Sequence, residues 1–423
     1  MANSFSKEER VAFEDILEGF QDLLVLSRHV NIYNTDQTMM ERANNTIWRP
    51  QPYIAQSQNS TPGTPVTYQN MTQLAVPATL GFSQTVPWTM TTLDLRDALQ
   101  EGRLGESAKQ KLASDINVAI MNVAAAQGTL VVPVSTAAGD YDDVALCDTI
   151  MNEQGVPDYD RFLGLSSRDY NGLAGNLSQA SRSFGNQKSD RAYERSFVGM
   201  VAGFDTYKFD YANRIAVAGG GATTIDTTGA QAQYVPQATS TAVGGQINVD
   251  NRFQSVVVNN TAGIVAGDAF TIDGIEAVHH ITKVSTGRLK TFRVISVTNG
   301  TTMVISPPII AATSPATDAE LQYKNVQLVA ASAAAPLNWL NTGASAINVF
   351  WQRDSLEILP GRYAVPSDAG TAVMRATTDQ GIELVMQKFY DIDSMVIKYR
   401  LDTLFGVVNK QPEMSGILLF NQP

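Results

Sequence analysis

The sequence has a single cysteine, Cys147, so no intramolecular disulfide can form and no cysteine-based zinc site can be built. Its expected role is that of a small, buried apolar side chain. Histidine is nearly as scarce: of three residues, His279 and His280 are consecutive in a strand-like run. Consecutive strand side chains point to opposite faces, which keeps this pair from sharing a metal ion. His29 falls at the end of an N-terminal helical run, where the helix C-terminus favours positive charge. Charge is depleted as well, at 17% of the 423 residues, against about a quarter in an average chain. Such depletion marks the buried centres of protein–protein interfaces, so much of the surface is expected to face other subunits. The formal net charge of -11 argues against a protein that grips nucleic acid by neutralising phosphates. No apolar run reaches the roughly 18 residues of a membrane helix. Met1 to Arg10 lacks the basic and apolar regions of a secretory signal, so a cytoplasmic location is expected.

Catalytic signatures are missing too. Gly219-Gly220-Gly221 is not followed by the Lys-Ser/Thr of a phosphate loop, and no G-x-S-x-G elbow occurs, so the glycines are read as a hinge or linker. Asp140, Asp142 and Asp143 lack the glycine and distant glutamate of a calcium loop and are read as a solvated turn. No catalytic, metal-ligating or cofactor-binding constellation stands out from the chance pairing of carboxylates in an acidic chain, and no enzyme activity is expected.

What is present is organised. Phe13, Ile16, Leu17, Phe20, Leu23 and Leu24 recur at helical spacing, with Glu14, Asp15 and Glu18 among the acids elsewhere on the wheel, and Ser6 with Glu9 fits a capping box. From Arg49 to Trp88, Pro50, Pro52, Pro62, Pro65, Pro77 and Pro87 exclude a helix. Short alternating pieces there predict a long two-stranded loop, and so long a segment without a core is expected to reach a neighbour. The stretch Gly105 to Gln127 predicts a helix of about 34 Å, stopped by Gly128. Shorter helices are expected around Asp143 to Glu153 and Arg168 to Leu173. From about Thr223 to Tyr323 the chain is rich in Thr, Val, Gly and Asn, with hairpin turns expected at Asp273-Gly274 and Asn299-Gly300. Ile347 to Trp351 reads as a buried strand and Met395 to Arg400 as an alternating one. The pattern is an α+β chain with a small all-β domain inserted into it.

Several motifs in this order and spacing resemble the coat proteins of enterobacterial short-tailed phages with double-stranded DNA. They are Asn44-Asn45-Thr46-Ile47-Trp48-Arg49-Pro50, Asp94-Leu95-Arg96-Asp97, Val201-Ala202-Gly203-Phe204-Asp205, Asn248-Val249-Asp250-Asn251-Arg252-Phe253, Asn348-Val349-Phe350-Trp351, and Tyr399-Arg400 followed by Gly406. The resemblance implies the tailed-phage major capsid fold with peripheral and axial domains and an inserted β-barrel. It implies an N-terminal arm at 1–34, a capsid core at 35–218 and 344–423, an extended loop at 50–88, a spine helix at 105–127 and an insertion at 219–343. It also implies assembly of the chain with itself into hexamers and pentamers of an icosahedral shell, with a scaffolding protein and with a portal at one vertex. That shell would enclose double-stranded DNA without binding it specifically and would form in the host cytoplasm before becoming the virion capsid. The relatives carry a charged loop just before Asn248 that reaches a neighbouring capsomer. Here Ser240 to Gln246 is uncharged, which leaves Asp250 and Arg252 as the nearest charges for an inter-capsomer contact. Glu14, Asp15 and Glu18 are the expected scaffold-facing residues. Two other readings remain at this point: a β-rich surface polymer such as a fibre, and a carbohydrate-active enzyme, although Trp48, Trp88, Trp339 and Trp351 are scattered and form no sugar-binding cluster beside paired acids.

Overall fold

The computed structural model describes residues 5, 7–33, 46–52, 55, 57, 61–63, 65–66, 68–91, 98–180, 187–209, 211, 213–225, 233–242, 245–329, 334–365 and 370–423. Ser6, Asn44, Asn45, residues 94–97 and parts of the arm and insertion, including Val243 and Gly244, lie outside them. The chain forms two compact units, one of 1–47, 78–121 and 356–408 and the other of 48–77, 122–355 and 409–423.

In the first unit the long strand Val396–Asn409 organises a six-stranded sheet. Phe82–Thr91 runs antiparallel to it from Phe82 opposite Phe405 to Thr91 opposite Val396. Residues directly opposite interact, and here Phe82 stacks on Phe405 (5.3 Å) and Trp88 on Tyr399 (5.5 Å). Residues 82–88, expected to belong to the extended loop, are therefore part of this sheet. Phe82, Val86, Trp88 and Met90 alternate with polar residues, which is the period of a one-faced strand. Pro87 is accommodated because the strand lies at the sheet margin.

The helix Ala98–Gln127 has 30 residues, about 45 Å, and starts before the expected Gly105. Ala98, Leu99, Gln100 and Glu101 are strong helix formers, and their propensity outweighs single glycines at 102 and 105. Leu112 and Ile116 are fully buried on its apolar stripe.

The second unit contains a six-stranded sheet in the order Leu130–Pro133, Ser415–Leu419, Asn348–Gln352, Arg161–Ser166, Phe204–Phe209, Met200–Val201. Every residue of Asn348–Gln352 and Arg161–Ser166 is buried. Val144, Cys147 and Met151 from the helix Tyr141–Gln154 pack into the same core as Leu163, Leu165, Phe204 and Phe350. The acidic turn read from the sequence is a capping box: Asp140 caps this helix, and the Asp143 carboxylate accepts the Asp140 N–H (3.2 Å).

A seven-stranded β structure follows in the order Thr224–Ile225, Ala335–Trp339, Ala269–Val278, Ser285–Asn299, Thr302–Ser306, Gln254–Val257, with Val326–Leu328 also on Ala269–Val278. An antiparallel bridge between Ile225 and Val258 joins its first and last strands, so the sheet closes into a barrel. Phe270, Ile272, Phe292, Val294, Ile305 and Leu337 fill it. The turn at Asn299-Gly300 forms as expected, with Asn299 opposite Thr302. The one expected at Asp273-Gly274 does not. Ala269–Val278 is continuous, and Gly274, at φ +79°, marks a register shift between Thr271 and Glu276. The bulge redirects the strand: before it Phe270 to Ile272 pair with Ala335–Trp339, and after it Ile275 to Ala277 pair with Val326–Leu328. Of the glycines 219–221, the first two are closely packed, whereas Gly221, at φ +55°, has open space around it. A Cβ on Gly219 would lie 2.8 Å from the Gly263 carbonyl, one on Gly220 would strike the Trp339 ring, and Trp339 Nε1 donates to the Gly221 carbonyl (3.1 Å).

Candidate assembly surfaces

In the first unit the helix Lys7–Leu23 buries Phe13, Ile16 and Phe20 and exposes Glu14, Asp15 and Glu18. The three predicted acids thus share a solvent-facing edge, as the 3.6-residue period requires. Glu9, read as the reciprocal partner of Ser6, which lies outside the described residues, also ties the helix to the sheet. It is 7% exposed, and its Oε1 accepts from Lys388 Nζ (2.5 Å) and from the Tyr399 hydroxyl (2.9 Å). Lys388 and Tyr399 sit opposite each other on paired strands, so a cross-strand pair grips the helix by one carboxylate. His29 closes a separate 3-10 turn, Leu26–His29, rather than the helix.

In the second unit Asp250 and Arg252 bind each other. Arg252 Nε donates to Asp250 Oδ1 (3.0 Å), Nη2 to Oδ2 (2.7 Å), and Nη1 to the Asn409 carbonyl (2.8 Å). The guanidinium also lies 4.9 Å from the Phe253 ring centroid. The Arg252 side chain is 7% exposed and that of Asp250 21%. This pair sits at the root of a hairpin, Thr239–Ala242 with Gly245–Asn248, whose second strand is exposed throughout. That hairpin stands apart from the barrel sheet and presents main-chain edges instead of charges.

A group of buried and half-buried charges at the barrel wall has no counterpart in the sequence reading. Lys290 Nζ meets Glu413 Oε1 at 2.6 Å and donates to Gln154 Oε1 (2.9 Å), while Asn325 Nδ2 donates to Glu413 Oε1 (3.2 Å). His280 Nε2 is 3.7 Å from Glu413 Oε2. Burial raises the Glu413 carboxyl, but the neighbouring Lys290 and His280 overcome it and hold the group below its ordinary range. Burial drives His280 down to about 4, against the pull of Glu413 and helped by Lys290 and Lys283. It likewise lowers Lys283 to about 8. The consecutive histidines do not share a role: His279 Nδ1 accepts the Ile281 and Thr282 N–H groups (3.3 Å each) in the turn after the strand.

Arg293 is 1% exposed and saturates the end of the spine helix. Nη2 donates to the Ala125 carbonyl (3.0 Å), Nη1 to Gly128 (3.2 Å) and Nε to Gly267 (3.1 Å), and Thr291 Oγ1 adds a bond to the Thr129 carbonyl (2.7 Å). A cation against orphan carbonyls at a helix C-terminus is doubly favourable, through hydrogen bonds and through the dipole. Burial lowers Arg293 to about 10, opposed by Asp268, so it stays charged at neutral pH. Phe292 and Val294 face the barrel core, while Thr291 and Arg293 face outward to the end of the spine helix.

These surfaces and buried locks hold segments in place; they offer no arrangement for bond chemistry. A family model described as P22 coat protein, gene protein 5, matches residues 1–421. Among solved structures the chain is similar to one from Mycobacterium phage Che8, at 10% identity over 94% of this chain and 91% of that chain, with a TM-score of 0.45. It is also similar to a chain of the bacteriophage PhiM1 mature capsid, at 12% identity over 100% of this chain and 89% of that one (TM-score 0.44). A third similarity is to the CUS-3 coat protein I-domain, at 36% identity over 27% of this chain and 94% of that one (TM-score 0.22). With its α+β capsid fold and β-barrel insertion, the chain belongs to the P22 coat protein family and is a major capsid protein, a structural and not an enzymatic component that self-assembles into the icosahedral shell of a phage virion.

Proposed function

We propose that the chain assembles in the host cytoplasm with a scaffolding protein into the hexamers and pentamers of its shell. In this reading the shell carries a portal at one vertex and encloses double-stranded DNA without specific contacts. The arm at 1–34, the core at 35–218 and 344–423 and the insertion at 219–343 act as its working parts. The observation that carries the scaffold contact is the edge of Glu14, Asp15 and Glu18, exposed on a helix whose opposite face is buried. A scaffold must leave before DNA fills the shell, and exposed ion pairs worth about 0.2–1 kcal/mol each give recognition with easy release. Reversing Glu14 and Glu18 to Lys is expected to slow scaffold-dependent assembly most strongly at low salt, with the thermal unfolding of the monomer unchanged. Equal assembly rates for variant and parent across a salt series would remove these acids from the contact.

Between capsomers, the hairpin 239–248 supplies the reaching element. Arg252 secures its root, and the partly exposed Asp250 carboxylate remains as the nearby charge for a neighbour. The extended loop supplies a second contact. Its described residues between Ser57 and Val66 are all exposed, and Tyr68 is 91% exposed. Deleting Ser57 to Thr67 is expected to leave a folded monomer that assembles poorly; an unfolded monomer would place the loop among the intramolecular supports.

A further inference from the structure

The limb of the loop that follows its exposed tip runs extended past the short barrel helix Asp318–Tyr323, and the two are joined by a regular set of hydrogen bonds. The Asn70 N–H donates to Asp318 Oδ2 (2.8 Å). Gln322 uses both ends of its amide: Nε2 donates to the Asn70 carbonyl (2.8 Å), and Oε1 accepts the Thr72 N–H (3.2 Å). The Tyr323 hydroxyl donates to the Thr72 carbonyl (3.2 Å) and accepts the Leu74 N–H (3.2 Å). The Leu74 carbonyl accepts the Gln51 N–H (2.9 Å) from the opposite limb.

In an extended chain the N–H and C=O of one residue point to the same edge, and residues two apart share that edge. The main-chain groups on the edge of residues 70, 72 and 74 are thus all satisfied, five of them by three side chains of one six-residue helix. The spacing explains the fit. Two strand residues advance about 6.6 Å, and four helical residues, from Asp318 to Gln322, about 6 Å. A capping box between Thr317 and Glu320 fixes the start of the helix. Just beyond, Ala75 forms a parallel bridge with Asp250, and Leu74 and Val76 are fully buried.

We infer that Asp318, Gln322 and Tyr323 form a strand clasp, a side-chain imitation of a β-ladder that reads only the main chain of residues 70–74. The insertion thereby holds the extended loop against its own subunit. It presents the exposed Tyr68 in a fixed position to a second copy. The clasp ties two parts of the chain whose sequence separation is 248 residues at its first bond. Its assembly role rests on the reading of the loop as an inter-subunit arm, whereas its existence does not.

The test is hydrogen exchange on the full-length monomer carrying Gln322→Leu with Tyr323→Phe, and separately Thr72→Pro, which removes one donor from the loop side. The amides of Asn70 and Leu74 are expected to lose protection by about tenfold or more in both variants. Protection within the barrel strand Ser285–Asn299 should stay at the parental level, and the yield of closed shells should fall. Unchanged protection at Asn70 and Leu74 overturns the clasp. Lost protection with parental shell yield overturns its assembly role, and a parental yield from the Ser57 to Thr67 deletion overturns the reading of the loop itself.

Discussion

Replacing Arg293 with methionine is expected to destabilise the second unit by about 3–5 kcal/mol, the range for removing a buried charge whose partners stay behind. The volume is nearly conserved, so the loss isolates the guanidinium. Without it the Ala125, Gly128 and Gly267 carbonyls lose their donors in a buried setting, and Asp268 loses the cation that opposes its burial. Arg293→Lys is expected to recover only part of the loss, because one ammonium cannot reproduce the fork that spans carbonyls on both sides of the helix end. Denaturant unfolding at neutral pH measures both, with the midpoint falling and the slope unchanged if the effect lies in the native state. A loss below about 1 kcal/mol for the methionine variant would mean that water or a neighbouring group satisfies those carbonyls.

The pair Lys290 and Glu413 carries the second large effect, and it is pH-dependent. Lys290→Met strands a half-buried carboxylate and is expected to cost about 2–4 kcal/mol near neutral pH. The cost shrinks as pH falls and Glu413 takes up a proton. Adding Glu413→Gln to Lys290→Met is expected to restore much of the stability, because the double variant buries no charge there, so the two changes couple strongly. In the parent protein both His280 and Glu413 act in the same direction. His280 titrates near 4 when folded against about 6.5 when unfolded. The unfolded chain therefore binds the proton first, and stability falls as pH drops from about 6.5 towards 4. The depressed Glu413 carboxyl gives stability that is present above its unfolded value and is lost at still lower pH. His280→Gln is expected to flatten the upper part of this acid limb. An unaltered slope between pH 6.5 and 4 in that variant would remove His280 as its source.

Much of the architecture was legible because it is written locally. The N-terminal helix followed from apolar residues every three to four positions, and its exposed acids followed from the same wheel. Gly128 marked the end of the spine helix, and the Asn299-Gly300 turn and the central strand Asn348–Gln352 lay where their patterns put them. The misreadings were equally local in cause. An Asp-Gly pair can open a hairpin or mark a bulge, and only the strands on either side of Ala269–Val278 decide which. A glycine run can be a hinge or a close approach, and the choice depends on Gly263 and Trp339, which lie far along the chain. What the charges of Asp250 and Arg252 could not reveal in the sequence is their bond to each other and the hold of the arginine on the Asn409 carbonyl, 157 residues away.

By itself, then, the sequence determined the elements, the closed chemistry of a chain with one cysteine and few histidines, and the insertion of a β-rich segment into an α+β frame. Tertiary structure alone decided the barrel closure at Ile225 and Val258, the hold of Asp318, Gln322 and Tyr323 on the loop, the burial of Lys290 and Arg293, and the pairing of Lys290 with Glu413. Periodicity is set by the few residues within a turn or along a pleat. Strand partners and the desolvation of a charge are set by segments that meet only after folding, such as Ala125 and Arg293, 168 residues apart.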